Sequence, residues 1–221
     1  MLHDSHPRSD RSSQTRLAAC FDRAVEMADH GDYAYASELL AECVLADPAN
    51  LEFVEALLRN LGHASRAKRG PLRLSKPFRF TAFSRAVSHR QWDQVLRLGV
   101  HRLLVEPGHV ATLRGMATAC EELHFNEAAL AYLREALDAA PKDADVSRHC
   151  ARSLTRMGQF DQAIACWHRV EEIKGKDPEA ARMIGKLAEE RMKYPGGKPS
   201  PAANGADSAR DGDAKSAEAE A

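Results

Sequence analysis

Arg114, Arg148 and Arg182 stand 34 residues apart, Arg152 and Lys186 repeat that interval one helical turn later, and Arg156 extends the row. A guanidinium is a planar fork that grips a carboxylate through two parallel hydrogen bonds, so such a row suits an acidic segment or a C-terminal carboxylate. The competing reading is a solvated helix face that Glu121, Glu122, Glu189 and Glu190 neutralise. A second cluster lies between Ala56 and Trp92, an interval with no acidic residue. It holds Arg59, Arg66, Lys68, Arg69, Arg73, Lys76, Arg79, Arg85 and Arg90. Phe78, Phe80 and Phe83 are interleaved with these cations, the combination that contacts phosphates and stacks bases. The alternative places Phe80 and Phe83 in a helix core, with the cations keeping a long loop in water.

Catalytic chemistry finds little support. No glycine-rich phosphate loop, nucleophile elbow or metal-binding pair occurs at productive spacing, so neither an enzymatic reaction nor a cofactor is expected. The ten histidines are scattered. Cys20, Cys43, Cys120, Cys150 and Cys166 form no Cys-x-x-Cys pair and fall within apolar helical patterns, which reads as reduced core thiols.

The elements that must carry these residues are helical. Apolar residues are 44% of the 221-residue chain and aromatics only 6%, with a formal net charge of −1. That composition suits small residues and leucines at close helix crossings. Helices are expected over 15–30, 34–46, 49–61, 79–89, 92–105, 109–123, 126–140, 143–157, 160–174 and 177–193, with Gly, Pro or Asp between them. Asp47-Pro48 and Asp177-Pro178 each place a capping carboxylate before a first-turn proline, and Gly31 and Gly158 close helices in the left-handed conformation. Residues 1–13 and 195–221 are too polar to offset their ordering entropy and read as disordered tails. They flank a helical domain over 14–194 with a basic loop at 62–78. The N-terminus lacks the apolar run of a signal peptide and no stretch is long and apolar enough to span a bilayer, so the expectation is a cytoplasmic protein without a membrane partner.

The period decides the architecture. Ala117, Ala151 and Gly185 are 34 apart, as are Met116, Cys150 and Ile184 before them and Cys120, Leu154 and Ala188 after them. Aromatics followed by a small or β-branched residue recur at Tyr33/Ala36, Trp92/Val95, Phe125/Ala128 and Phe160/Ala163. Pro48, Pro107 and Pro141 end the second helices. Together with Gly31-Asp32-Tyr33-x-x-Ala36 and Met157-Gly158-Gln159-Phe160-x-x-Ala163, this pattern resembles the tetratricopeptide repeat family over about 15–193. Repeats 17–50, 110–143 and 144–177 match well, 76–109 keeps only its Trp92 turn and Pro107, and 49–62 looks like an orphan first helix.

The resemblance implies an all-α, right-handed α-solenoid of stacked antiparallel hairpins, about four to five repeats with one degenerate, and a C-terminal capping helix. It also implies that first helices line a concave groove, so Arg114, Arg148, Arg152, Arg156, Arg182 and Lys186 become a basic ladder for an acidic protein or peptide partner. The expected function is a scaffold or adaptor. The alternative is an RNA- or ribosome-associated module using 59–90. Relatives that clamp chaperone tails add two groove asparagines. Asn126 in a turn and Asn60 at a helix end do not supply them.

Overall fold

A computed structural model describes residues 7–67 and 80–194. The expected C-terminal tail from 195, and Lys68 to Arg79 of the basic loop, lie outside the described residues. Among those described there are ten α-helices and no strand: α1 (Pro7–Asp29), α2 (Tyr33–Ala46), α3 (Leu51–Ala67), α4 (Phe80–Ser88), α5 (Trp92–Val105), α6 (Val110–Glu122), α7 (Asn126–Ala139), α8 (Ala144–Arg156), α9 (Phe160–Lys174) and α10 (Pro178–Lys193). No helix among them is long and apolar enough to cross a membrane. The chain divides into two compact units, Met1–Pro141 and Lys142–Ala221.

Two boundaries differ from expectation. Helix α1 starts at Pro7, well inside the stretch read as a tail ending at 13. Proline suits the first helical turn, and once a segment is packed, propagation adds one hydrogen bond per residue without needing a buried face. Helix α3 runs through Gly62 to Ala67, so the basic loop begins later than 62. An interior glycine costs about 1 kcal/mol relative to alanine, too little to stop a helix that is packed. Here the His63 ring stacks on Tyr33 with centroids 5.5 Å apart and Ser65 Oγ donates to Leu61 O, holding the last turns.

One turn device joins first to second helices in both units. Gly31, Arg90, His124 and Gly158 all adopt positive φ, at 81°, 54°, 65° and 73°. The next residue then reaches back five positions: Asp32 N–H donates to Met27 O, Gln91 to Ala86, Phe125 to Cys120 and Gln159 to Leu154. This left-handed cap satisfies carbonyls that the helix end leaves open. It also corrects one register. Phe125 is equivalent to Asp32, Gln91 and Gln159, so the counterpart of Tyr33/Ala36 is Asn126/Ala129, one residue later than Phe125/Ala128.

A second device starts the first helices. His109, Asp143 and Asp177, again 34 apart, cap α6, α8 and α10 through Thr112 N–H (3.1 Å), Val146 N–H (3.3 Å) and Ala180 N–H (3.0 Å). Asn50 does the same for α3. Asp47, expected to cap α3, instead terminates α2, because the helix begins three residues after Pro48.

In the first unit α1, α2 and α3 pack in succession, as do α4 to α7. The orphan α3 finds its cover on α7, and α2 meets α5. The close approaches use glycine: a Cβ on Gly99 would lie 2.5 Å from Met116 Cγ, and one on Gly115 would lie 2.7 Å from Phe83 Cζ. In the second unit α8 packs on α9 and α9 on α10. The rows Met116/Ala117/Cys120 and Cys150/Ala151/Leu154 are buried, whereas Gly185 in the third row is exposed, as befits the outermost helix of its unit.

Candidate functional site

The first unit carries an open groove of about 660 Å³ beside α1 and α3. Phe21, Val25, Leu51 and Ala56 give it an apolar lining, and Asp22, Glu52, Glu55 and Arg59 add three carboxylates and one guanidinium. Phe21 is steadied by Phe53, whose ring lies 4.9 Å away. Val25 is 40% exposed and opens its apolar side chain to the groove. Sequence reasoning missed this groove because its residues come from helices separated by the whole of α2. The only advance signal was Val25, an apolar residue that shares its helix face with Asp22 and Asp29.

The second unit holds most of the expected basic ladder. Arg148 on α8 is half-buried and bound on three sides: Asp145 at 2.8 Å, Glu179 at 3.3 Å and the Asp177 carboxylate. Desolvation works against its charge, yet the bonds to Asp177 and Asp145 and the field of Glu179 hold its pKa above the ordinary arginine value. Asp177 is held below its ordinary value, first by the Ala180 N–H it caps and then, against some desolvation, by Arg148. Arg152 donates to Glu179 at 2.5 Å and remains exposed. Arg156, Arg182 and Lys186 are exposed on α8 and α10. The carboxylates that answer Arg148 and Arg152 are therefore Asp145, Asp177 and Glu179, not the Glu189 and Glu190 suspected from sequence.

Arg114 lies in the first unit, half-buried on α6, with Nε enclosed and making no protein hydrogen bond. Of the second basic cluster, Arg66 is exposed on α3, and its charge opposes the burial and the Asp138 charge that raise the pKa of Glu135 on α7. Lys68, Arg69, Arg73, Lys76 and Arg79 fall outside the described residues, as does Phe78. Phe83 is a core residue, packed against Gly115, and offers no ring for stacking a base.

Asn60 sits in the interior of α3 rather than at its end, because the helix continues past Gly62. Its amide is engaged by α2: Nδ2 donates to Tyr33 O at 2.8 Å and Ser37 Oγ at 2.7 Å. Among the described residues no group of three or more His, Cys, Asp or Glu side chains could hold a metal ion.

Comparison with known proteins agrees with the turn-and-cap pattern. Residues 126–187 match the tetratricopeptide repeat family model. No curated protein matches the chain. Among solved structures, the chain is similar to the first TPR of Spaghetti (RPAP3) bound to the HSP90 peptide SRMEEVD, with 12% identity, a TM-score of 0.47, and coverage of 51% of this chain and 89% of that one. MamA AMB-1 aligns at 19% identity with a TM-score of 0.42, covering 76% and 98%. The matched segment contains the Gly158 turn and the Asp143 and Asp177 caps, which stand 34 residues apart, so that over 126–187 the chain is similar to the tetratricopeptide repeat family.

Proposed function

We propose that this chain is a non-catalytic interaction scaffold that holds a segment of a protein partner against its first helices. The observation that carries the reading is the groove beside α1 and α3, an apolar surface left open to water and fringed by an excess of carboxylates. Such a surface fits a segment that alternates apolar and basic residues, because apolar burial supplies affinity while opposite charges fix register and partner choice.

A second reading gives the scaffold an acidic partner at Arg152, Arg156, Arg182 and Lys186. Their exposure favours it. Arg148 takes a different part, since three carboxylates already occupy its guanidinium. The RNA-contact alternative rests on the acid-free interval 56–92; reversing Arg66, Lys68, Arg69 and Arg73 to Glu should abolish any salt-sensitive RNA binding, and unaltered binding would eliminate it.

The test is selection of a displayed random-peptide library on the immobilised full chain. The α1/α3 reading predicts enriched sequences with mixed apolar and basic character that no longer bind Val25→Asp or Glu55→Lys. The second reading predicts acidic sequences lost with Arg152→Glu plus Arg182→Glu. Enriched peptides indifferent to all four substitutions would refute both sites.

A further inference from the structure

The groove beside α1 and α3 holds carboxylates that nothing nearby answers. Asp22, Glu52 and Glu55 make no ion pair among the described residues, and Arg59 is the one cation in the groove lining. The carboxylates of the second unit differ, since Asp145, Asp177 and Glu179 all bind the Arg148 guanidinium. Unpaired negative charge beside an open apolar surface, with Val25 40% exposed, favours an occupant that is both basic and apolar.

The chain carries a segment of that chemistry. Residues 68–79, outside the described residues, read Lys-Arg-Gly-Pro-Leu-Arg-Leu-Ser-Lys-Pro-Phe-Arg. Lys68, Arg69, Arg73, Lys76 and Arg79 meet no acid there, and Leu72, Leu74 and Phe78 are interleaved with them. Contact with RNA would use the cations and the Phe78 ring but would leave both leucines idle, because base stacking needs a planar partner. An apolar groove fringed by carboxylates uses all three kinds of side chain.

We propose, building on the scaffold reading of that groove, that residues 68–79 of one copy of this chain occupy the α1/α3 groove of a second copy. The chain then associates with itself through its own ligand, and any other partner must displace that segment. Chain length favours the second copy. Within one chain the segment leaves the C-terminal end of α3, and Glu55 lies 12 residues back along that helix, about 18 Å away. Running there and back would take most of the about 40 Å that residues 68–79 span when fully extended, whereas a second copy can bring its groove to the segment. Groove and segment are different surfaces, so two reciprocal junctions close a dimer and single junctions extend a chain. A contact this small should be weak, with association in the micromolar range.

The experiment uses the full chain, and circular dichroism checks that each variant stays helical. Sedimentation velocity from about 1 to 100 µM should show self-association that weakens as salt rises. Glu55→Lys on the groove side, and Arg73→Glu with Lys76→Glu on the segment side, should each weaken it on the order of tenfold. An equimolar mixture of the two variants should associate again, because one keeps the segment and the other the groove. A fluorescein-labelled peptide of residues 68–79 should bind the segment variant and lose binding on the order of tenfold with Glu55→Lys. A parent chain that stays monomeric, or association that ignores these substitutions or vanishes with nuclease, would overturn the proposal. So would a monomer that admits the peptide only in the segment variant, since the segment would then fill its own groove. If the chain is monomeric while peptides selected from the random library still depend on Glu55, the scaffold reading stands and self-association alone fails.

Discussion

Arg148 on α8 donates to the carboxylate of Asp177, the residue that also caps the N-terminus of α10. One side chain thus anchors α10 and fastens it to α8. The two roles are separable. Asp177→Asn keeps a good capping side chain but removes the charge that faces Arg148, whereas Arg148→Met removes the cation and leaves the cap. Both should accelerate amide exchange across 178–193 on the order of tenfold, and the double variant should do little more than either, since both break the same link. Additive effects would show that the pair does not act as a unit. The pH sign follows from the lowered Asp177 pKa. Its contribution is complete above the ordinary value of 3.8 and disappears as pH falls through the lower folded value.

The turn residues give a prediction that only a repeat permits. Gly31 and Gly158 occupy the left-handed slot without strain, while Arg90 and His124 occupy the same slot with a Cβ. A left-handed conformation costs a non-glycine residue about 1–2 kcal/mol. Part of that gain is offset by the freedom that glycine adds to the unfolded chain. His124→Gly and Arg90→Gly should therefore each stabilise the protein by about 0.5–1 kcal/mol, and Gly158→Ala should destabilise it by about 1 kcal/mol. Urea denaturation of the three variants decides the matter. A loss of stability in both glycine variants would mean that the Arg90 and His124 side chains do more at the turn than accept strain.

Helix positions were legible from the punctuation: eight of the ten drawn elements end within a few residues of the observed helices, because Gly, Pro and capping residues act locally. The 34-residue period was legible for the same reason. Less readable was anything that depended on which apolar face meets which. Nothing in α3 declares that α7 covers it, since Ala- and Leu-rich faces accept many partners. Phe125 was misaligned because its ring was weighted above the period, which places Asn126 in the equivalent slot. Arg148 was visible as a basic position, but its partner sits 29 residues away, and sequence offered Glu121, Glu122, Glu189 and Glu190 on equal terms. The α1/α3 groove was hidden because its residues become neighbours only after α2 turns the chain back.

His109 introduces a titration near neutrality. It caps α6 through a ring nitrogen that accepts from Thr112 N–H, a bond only the unprotonated nitrogen can make. Burial first, and the Arg102 charge next, lower its pKa from 6.5. The unfolded chain therefore binds the proton more readily than the folded one, so stability is complete above pH 6.5 and falls as pH drops through the lowered folded value. Asn caps a helix without titrating, so His109→Asn should flatten the stability profile between pH 7 and about 5, while His109→Ala should cost about 1 kcal/mol at pH 7. Thermal melts across that range are the measurement, and a slope that survives His109→Asn would assign the titration elsewhere.

Asn60 tests the junction between α2 and α3. The residue is 2% exposed, both hydrogens of its amide are directed at α2, onto Tyr33 O and Ser37 Oγ, and Tyr33 also stacks on His63 one turn further along α3. Asn60→Leu retains the apolar volume but leaves the Tyr33 carbonyl with Ser37 as its side-chain donor, a loss of about 1–3 kcal/mol. Asn60→Asp is the more informative change, because it replaces two donors with acceptors and sets a carboxylate against a carbonyl in a dry site. The carboxyl would resist ionisation, so its folded pKa would rise above the unfolded one. Stability lost at pH 7 should then return in part as the pH falls through that raised value and the acid regains a donor. Denaturation of Asn60→Asp at pH 7 and pH 5 measures the difference. If the variant matched the parent at both, the amide would not be what joins these two helices.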